Sequence, residues 1–187
     1  MKTKTVVGLG LFTAIVVVLQ LLAVGLRALG LFSISLVLVP IVVGAAVYGK
    51  KGGAWLGFAF SLAVLLSGDA NVFLAINPVG TVITVLAKGT ACGLLAGLTY
   101  HALKGKGLWA VIAAAAVCPI VNTGVFLIGC RLFFFDAITQ WAQGAGFSNV
   151  GLYMILGLTG VNFLIELGVN LVLAPVVSRL IALKKRS

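Results

Sequence analysis

Apolar residues run in long blocks along this chain, and the polar positions that interrupt them are few and regularly placed. Crossing the hydrocarbon core of a bilayer takes about 20 apolar residues in a helix, with every backbone polar group satisfied inside the segment. Runs at approximately 6–26, 33–49, 52–68, 78–101, 109–130 and 150–183 meet or approach that requirement. They predict an all-α integral membrane protein, a single six-helix bundle spanning residues 1–187. The second run is the shortest and contains Pro40, which predicts a kinked or tilted helix, with Arg27 to Ser35 forming the loop before it. The sixth is long enough to tilt or to project beyond the bilayer.

The polar interruptions carry the chemistry. In the sixth run Asn162, Glu166 and Asn170 recur every four residues. At 3.6 residues per turn such positions drift only about 40° around the axis, so they form one stripe on an otherwise apolar helix. A charged side chain at mid-bilayer costs roughly 3 kcal/mol on insertion scales, which directs Glu166 toward a bundle interior, a cavity or a pathway. At the start of the fourth run Asn77 reads as an N-cap and Pro78 as the first helical residue. Thr81, Thr84 and Lys88 then share a face, with Lys88 about 15 Å along the helix. Asn122 and Thr123 follow Pro119, whose missing N–H frees a carbonyl in the fifth run. These nine polar residues form the candidate substrate site. Lys88 and Glu166 admit two readings, a buried ion pair tying two helices together or the charged walls of a pocket open to the outer side. One charge of each sign among amides and hydroxyls suits a polar, hydrogen-bonding small molecule better than a simple ion.

Composition agrees with the pattern and removes other classes. Of 187 residues, 62% are hydrophobic and 9% charged, and mean hydropathy is +1.27, beyond the range of a soluble domain. The apolar block after Lys2 and Lys4 is too long for a signal-peptide core and reads as an uncleaved first helix. A net charge of +10 invites comparison with nucleic-acid binders, but the basic residues lie in short clusters between apolar runs and make no patch. With both termini cytoplasmic, Lys2, Lys4, Lys50, Lys51, Lys104, Lys106, Arg179, Lys184, Lys185 and Arg186 fall inside, and only Arg27 and Arg131 outside, as the positive-inside rule requires. Trp55, Trp109 and Trp141 fall at run ends or in a loop, where indole rings anchor at headgroup level.

Catalytic and cofactor chemistry lacks its parts. Gly44 to Lys51 has GxxxxGK spacing, but the required Ser or Thr is absent and the segment ends an apolar helix. His101 is the single histidine and has no companion nucleophile or acid nearby in sequence, and Cys92, Cys118 and Cys130 show no metal-binding spacing. The chain is expected to be a non-enzyme without metal or cofactor. Its 24 glycines instead mark close helix contacts, at Gly53 with Gly57 and in the series Gly89, Gly93, Gly97.

Three blocks, "GLGLFTAIVVVLQ" at the start, "FSISLVLVPIVVGAAVYGKKGGAWLGF" in the middle and "NFLIELGVNLVLAPVVSRLIALKK" at the end, resemble the substrate-binding S components of energy-coupling factor (ECF) transporters. The resemblance implies six helices with both ends cytoplasmic in a bacterial-type plasma membrane. It implies capture of a water-soluble vitamin on the outer side, and reorientation when docked to a transmembrane coupling subunit driven by two cytoplasmic ATPases. The docking face would be Gly10, Ala14 and Val18, where Val18 replaces a further alanine. Arg27, Gly30, Phe32, Ser33 and Ser35 would form a lid, and Lys88, Asn122, Asn162 and Glu166 would hold substrate. Metal-binding members use an N-terminal histidine motif that is missing here, which removes cobalt and nickel. Lys88 points to a carboxylate-bearing vitamin such as pantothenate, while the block pattern is similar to riboflavin binders. Two other classes stay open: an ion-coupled secondary transporter, against which stand the absence of an internal repeat and only three acidic residues, and a structural or assembly membrane protein with no ligand.

Overall fold

The computed structural model describes residues 3–28 and 36–186, and among these every regular element is helical. The long elements are α1 (Thr3–Ala28), α2 (Leu38–Leu66), α4 (Pro78–Ala102), α5 (Leu108–Phe133) and α8 (Val161–Arg186). Between them lie the short helices α3 (Asn71–Ile76), α6 (Phe135–Gly144) and α7 (Val150–Tyr153), a 3-10 turn at Lys104–Lys106 and a π-helical stretch at Met154–Gly160. Among the described residues, four segments are long and apolar enough to cross a membrane on their own: Thr3–Leu26, Pro78–Ala102, Leu108–Phe133 and Val150–Ala182.

The expected second and third helices, 33–49 and 52–68, are the two arms of α2. Gly49 has φ 80° and ψ −179°, a backbone state that only glycine adopts without strain. The chain doubles back there. A Cβ placed on Gly53 would stand 2.7 Å from the Ala45 Cβ, although eight residues of straight helix would hold them about 12 Å apart. The predicted kink at Pro40 is not what bends this helix. Pro40 falls in its first turn, where the missing N–H is one that has no intrahelical acceptor anyway. Residues 33–35, the expected start of this run, lie outside the described residues, and the second arm stops at Leu66 rather than 68.

Glycine then brings the second arm of α2 against α4. A Cβ on Gly57 would meet the Gly89 carbonyl, one on Gly93 would meet the Gly53 carbonyl, and one on Gly97 would stand 2.8 Å from the Lys50 Cα. Two backbones this close gain dispersion contact that larger side chains would forbid, the main source of helix association when lipid competes for apolar surface. Ser61 continues the line. Fully buried, its hydroxyl donates 2.7 Å to the Val85 carbonyl of α4, with the Gly57 carbonyl 3.1 Å away in its own helix. Around this crossing Leu38, Ile41, Leu56, Phe60, Cys92 and Ala96 form the core, joined by Ala114 and Cys118 of α5 and Ala174 and Val177 of α8.

A second, smaller cluster closes one end of the bundle. Cys130, Phe134, Ile138 and Met154 are buried there, and Phe73 of α3 meets Phe134, Phe126 and Trp141 edge-on with ring centroids 5.0, 5.5 and 5.8 Å apart. The sequence pattern predicts neither α3 nor α6, because both are shorter than a membrane-crossing run. Trp141 thus packs inside this cluster, whereas Trp55 and Trp109 are exposed.

Candidate substrate site

Beneath that aromatic cluster lies a cavity of about 380 Å³, bounded by α1, the second arm of α2, α4, α5 and the π-helical stretch with the start of α8. Its volume is within the range of small-molecule sites. Of the residues expected from sequence, Thr81, Thr84, Lys88, Asn122, Thr123, Asn162 and Glu166 line it.

Each is positioned by a local feature. The Asn77 side chain accepts a 2.9 Å hydrogen bond from the Gly80 N–H, so it caps α4 and fixes where the Thr81, Thr84 and Lys88 face begins. Gly80 and Gly129 let α4 and α5 close on each other. A Cβ on Gly80 would strike Phe133 at 2.7 Å, and one on Gly129 would strike Thr84. Pro119 lies inside α5 three residues before Asn122 and cannot donate to the carbonyl four residues earlier. On α8 the Asn162 amide donates to Glu166 Oε1 at 3.3 Å, and Asn170 donates to the Glu166 carbonyl at 2.8 Å. Asn77 and Asn170 therefore support the walls and are not among the residues that line the cavity.

The cavity's charges are arranged around aromatic faces. Lys88 Nζ stands 5.3 Å from the Phe126 ring centroid and 5.8 Å from that of Phe60, within reach of cation–π attraction on both sides. Coulombic attraction also reaches it from Glu166 and from Asp69. Asp69, in the turn after α2, accepts a 3.1 Å hydrogen bond from Gln20, which is 3% exposed on α1. Among the described residues, two buried side-chain atoms have no hydrogen-bond partner, Thr84 Oγ1 and Asn122 Oδ1. Such a lining can hold a molecule that offers hydrogen-bond donors and flat apolar surface together.

Sequence reading misses Gln20, Asp69 and Thr159, and it misses the phenylalanines Phe60, Phe73, Phe126, Phe134 and Phe163. Gln20 left a signal, being the one amide in the first apolar run. The phenylalanines left none, since an apolar side chain in an apolar helix looks the same whether it faces lipid or ligand. Of the expected lid, Gly30, Phe32, Ser33 and Ser35 lie outside the described residues, as does the side chain of Arg27. Gly10, Ala14 and Val18 are all exposed on one side of α1, opposite Val16, Gln20 and Ala23, which face inward.

No curated protein and no solved structure matches the chain. Residues 4–178, nearly its whole length, match the family described as "ECF transporter, substrate-specific component". This multi-pass helical membrane protein, with its polar cavity enclosed by apolar helices, belongs to the family of ECF transporter substrate-specific components.

Proposed function

We propose that the chain captures a water-soluble vitamin from the outer side of a bacterial plasma membrane and hands it to an ATP-driven importer. The observation that carries this is the cavity of about 380 Å³, which gathers Lys88, Glu166, Asn122 and Asn162 among phenylalanine rings inside a bundle of this family. Burying two charges and two amides in an apolar bundle costs stability, and a bound polar molecule is the return. Thr81, Thr84 and Thr123 complete the binding surface.

In this reading the two arms of α2 cross the membrane separately, giving six crossings with both termini cytoplasmic. The lysine pairs at 50–51 and 104–106 and the basic C-terminal end support that orientation. The exposed face of Gly10, Ala14 and Val18 docks on a transmembrane coupling subunit, which two cytoplasmic ATPases drive. Small residues there allow the close helix approach that docking within lipid requires. Pantothenate and riboflavin are the two candidate ligands, the first for its carboxylate opposite Lys88, the second for its ring against phenylalanine.

Mass spectrometry of small molecules that co-purify with the detergent-solubilised chain tests the proposal. A stoichiometric vitamin, lost on alanine replacement of Asn122 or Asn162 in folded protein, is the expected result. Protein that stays empty and gives no thermal shift with any member of a vitamin panel would leave Lys88 and Glu166 as a structural tie between helices.

A further inference from the structure

Taking the cavity to be the substrate site, as proposed above, its polar groups divide into those the protein already answers and those it does not. The carboxylates are answered by donors, and the ammonium is attracted by its surroundings. Lys88 lies between two phenylalanine rings and is attracted by Glu166 and Asp69, while Asp69 and Glu166 accept from Gln20 and Asn162. The unanswered groups are neutral. Thr84 is 4% and Asn122 7% exposed, both line the cavity, and neither Thr84 Oγ1 nor Asn122 Oδ1 has a partner among the protein groups.

Leaving a buried polar atom unpaired is costly, and native proteins retain few of them. An amide oxygen can only accept, so whatever completes Asn122 Oδ1 brings an N–H or O–H; a hydroxyl can also donate, so whatever completes Thr84 can be a carbonyl. The same cavity carries the Phe60 and Phe126 rings, which favour a flat aromatic partner. We propose that the buried end of the ligand is an uncharged, planar heteroaromatic ring with a lactam or imide edge, its ring N–H donated to Asn122 Oδ1 and its neighbouring carbonyl accepting from the Thr84 hydroxyl. This is the chemistry of a flavin or pterin ring. An acyclic carboxylate such as pantothenate offers no such ring edge.

The test uses the purified full chain in lipid nanodiscs, with lumiflavin as the imide-bearing ring, whose single N–H is at N3, its N3-methylated form as the same ring without the N–H, and pantothenate with a panel of other vitamins as competitors. Lumiflavin is expected to bind, and methylation to weaken it on the order of tenfold to a hundredfold. In Asn122→Leu the two rings should bind alike and weakly. Thr84→Val keeps the side-chain shape that packs at Gly129 and removes only the hydroxyl. Its unfolding midpoint without ligand should hold or rise, because the hydroxyl serves no bond in the fold, while lumiflavin affinity falls. A lowered midpoint, or affinity indifferent to methylation, overturns the inference. If lumiflavin fails and pantothenate or another vitamin binds, the ring-edge inference is overturned and the substrate site stands. If nothing in the panel binds folded protein, both readings fall together.

Discussion

Lys88 shows how much of a buried charge's meaning depends on its surroundings. Its place in the sequence gives a depth and a face, and the structure adds two aromatic rings and two carboxylates within electrostatic reach. Removing the ammonium strands those carboxylates, so Lys88→Met should destabilise the protein by about 3 kcal/mol or more, as breaking buried pairs does. Adding Glu166→Gln should recover much of that loss, because the two groups share one electrostatic network. Thermal unfolding of the two single variants and the double checks this, and additive losses would mean that the two charges do not interact. Polar residues such as Thr84, Asn122 and Glu166 were legible because each stands out against an apolar run. Phe60 and Phe126 were not, since their place on the cavity wall comes only from which way they face.

At the scale of elements, the α2 and α4 contact is the most constrained in the molecule. Replacing Gly57 by alanine pushes a methyl group into the Gly89 backbone carbonyl, and backbone cannot yield as a side-chain tip does. The expected cost is about 1–3 kcal/mol, as for other overpacked interiors. Gly168→Ala on α8 is the matching control, since a Cβ there meets nothing within 4 Å. Its unfolding midpoint should stay at or slightly above that of the parent, given alanine's better helix propensity. Equal effects at the two positions would show that the crossing does not depend on close backbone approach. Helix positions were readable because long apolar runs leave little choice of structure in lipid. The turn at Gly49 was half readable: the lysines that follow marked an end to the run, but a reversal carried by one glycine leaves no loop in the pattern. Helices α3 and α6 were hidden for a different reason, since their apolar faces are short and are needed only to roof the cavity.

For the whole molecule, the two sides of α1 face different surroundings. One side carries Val16, Gln20 and Ala23 toward the core and the cavity, and the other exposes Gly10, Ala14 and Val18. If the exposed side docks on the coupling subunit as proposed, Ala14→Leu should abolish co-purification with that subunit while leaving ligand affinity within about twofold, since exposed changes far from a site act independently of it. Loss of both properties together would show that α1 cannot be divided in this way. Family membership was legible from the apolar pattern and a few blocks. Ligand identity was not, because it rests on a handful of side chains that several helices bring together.

The π-helical stretch from Met154 to Gly160 has a consequence for angular phase. In an unbroken α-helix, Met154 and Glu166 would point about 120° apart. A π-helix winds at roughly 4.4 residues per turn, so each residue advances about 82° instead of 100°. Over the seven residues of this stretch the lag comes to roughly 125°, which cancels the difference. One continuous rod can therefore aim Met154 into the aromatic roof and Glu166 into the cavity beneath it, two targets on the same side that regular winding would have forced it to choose between.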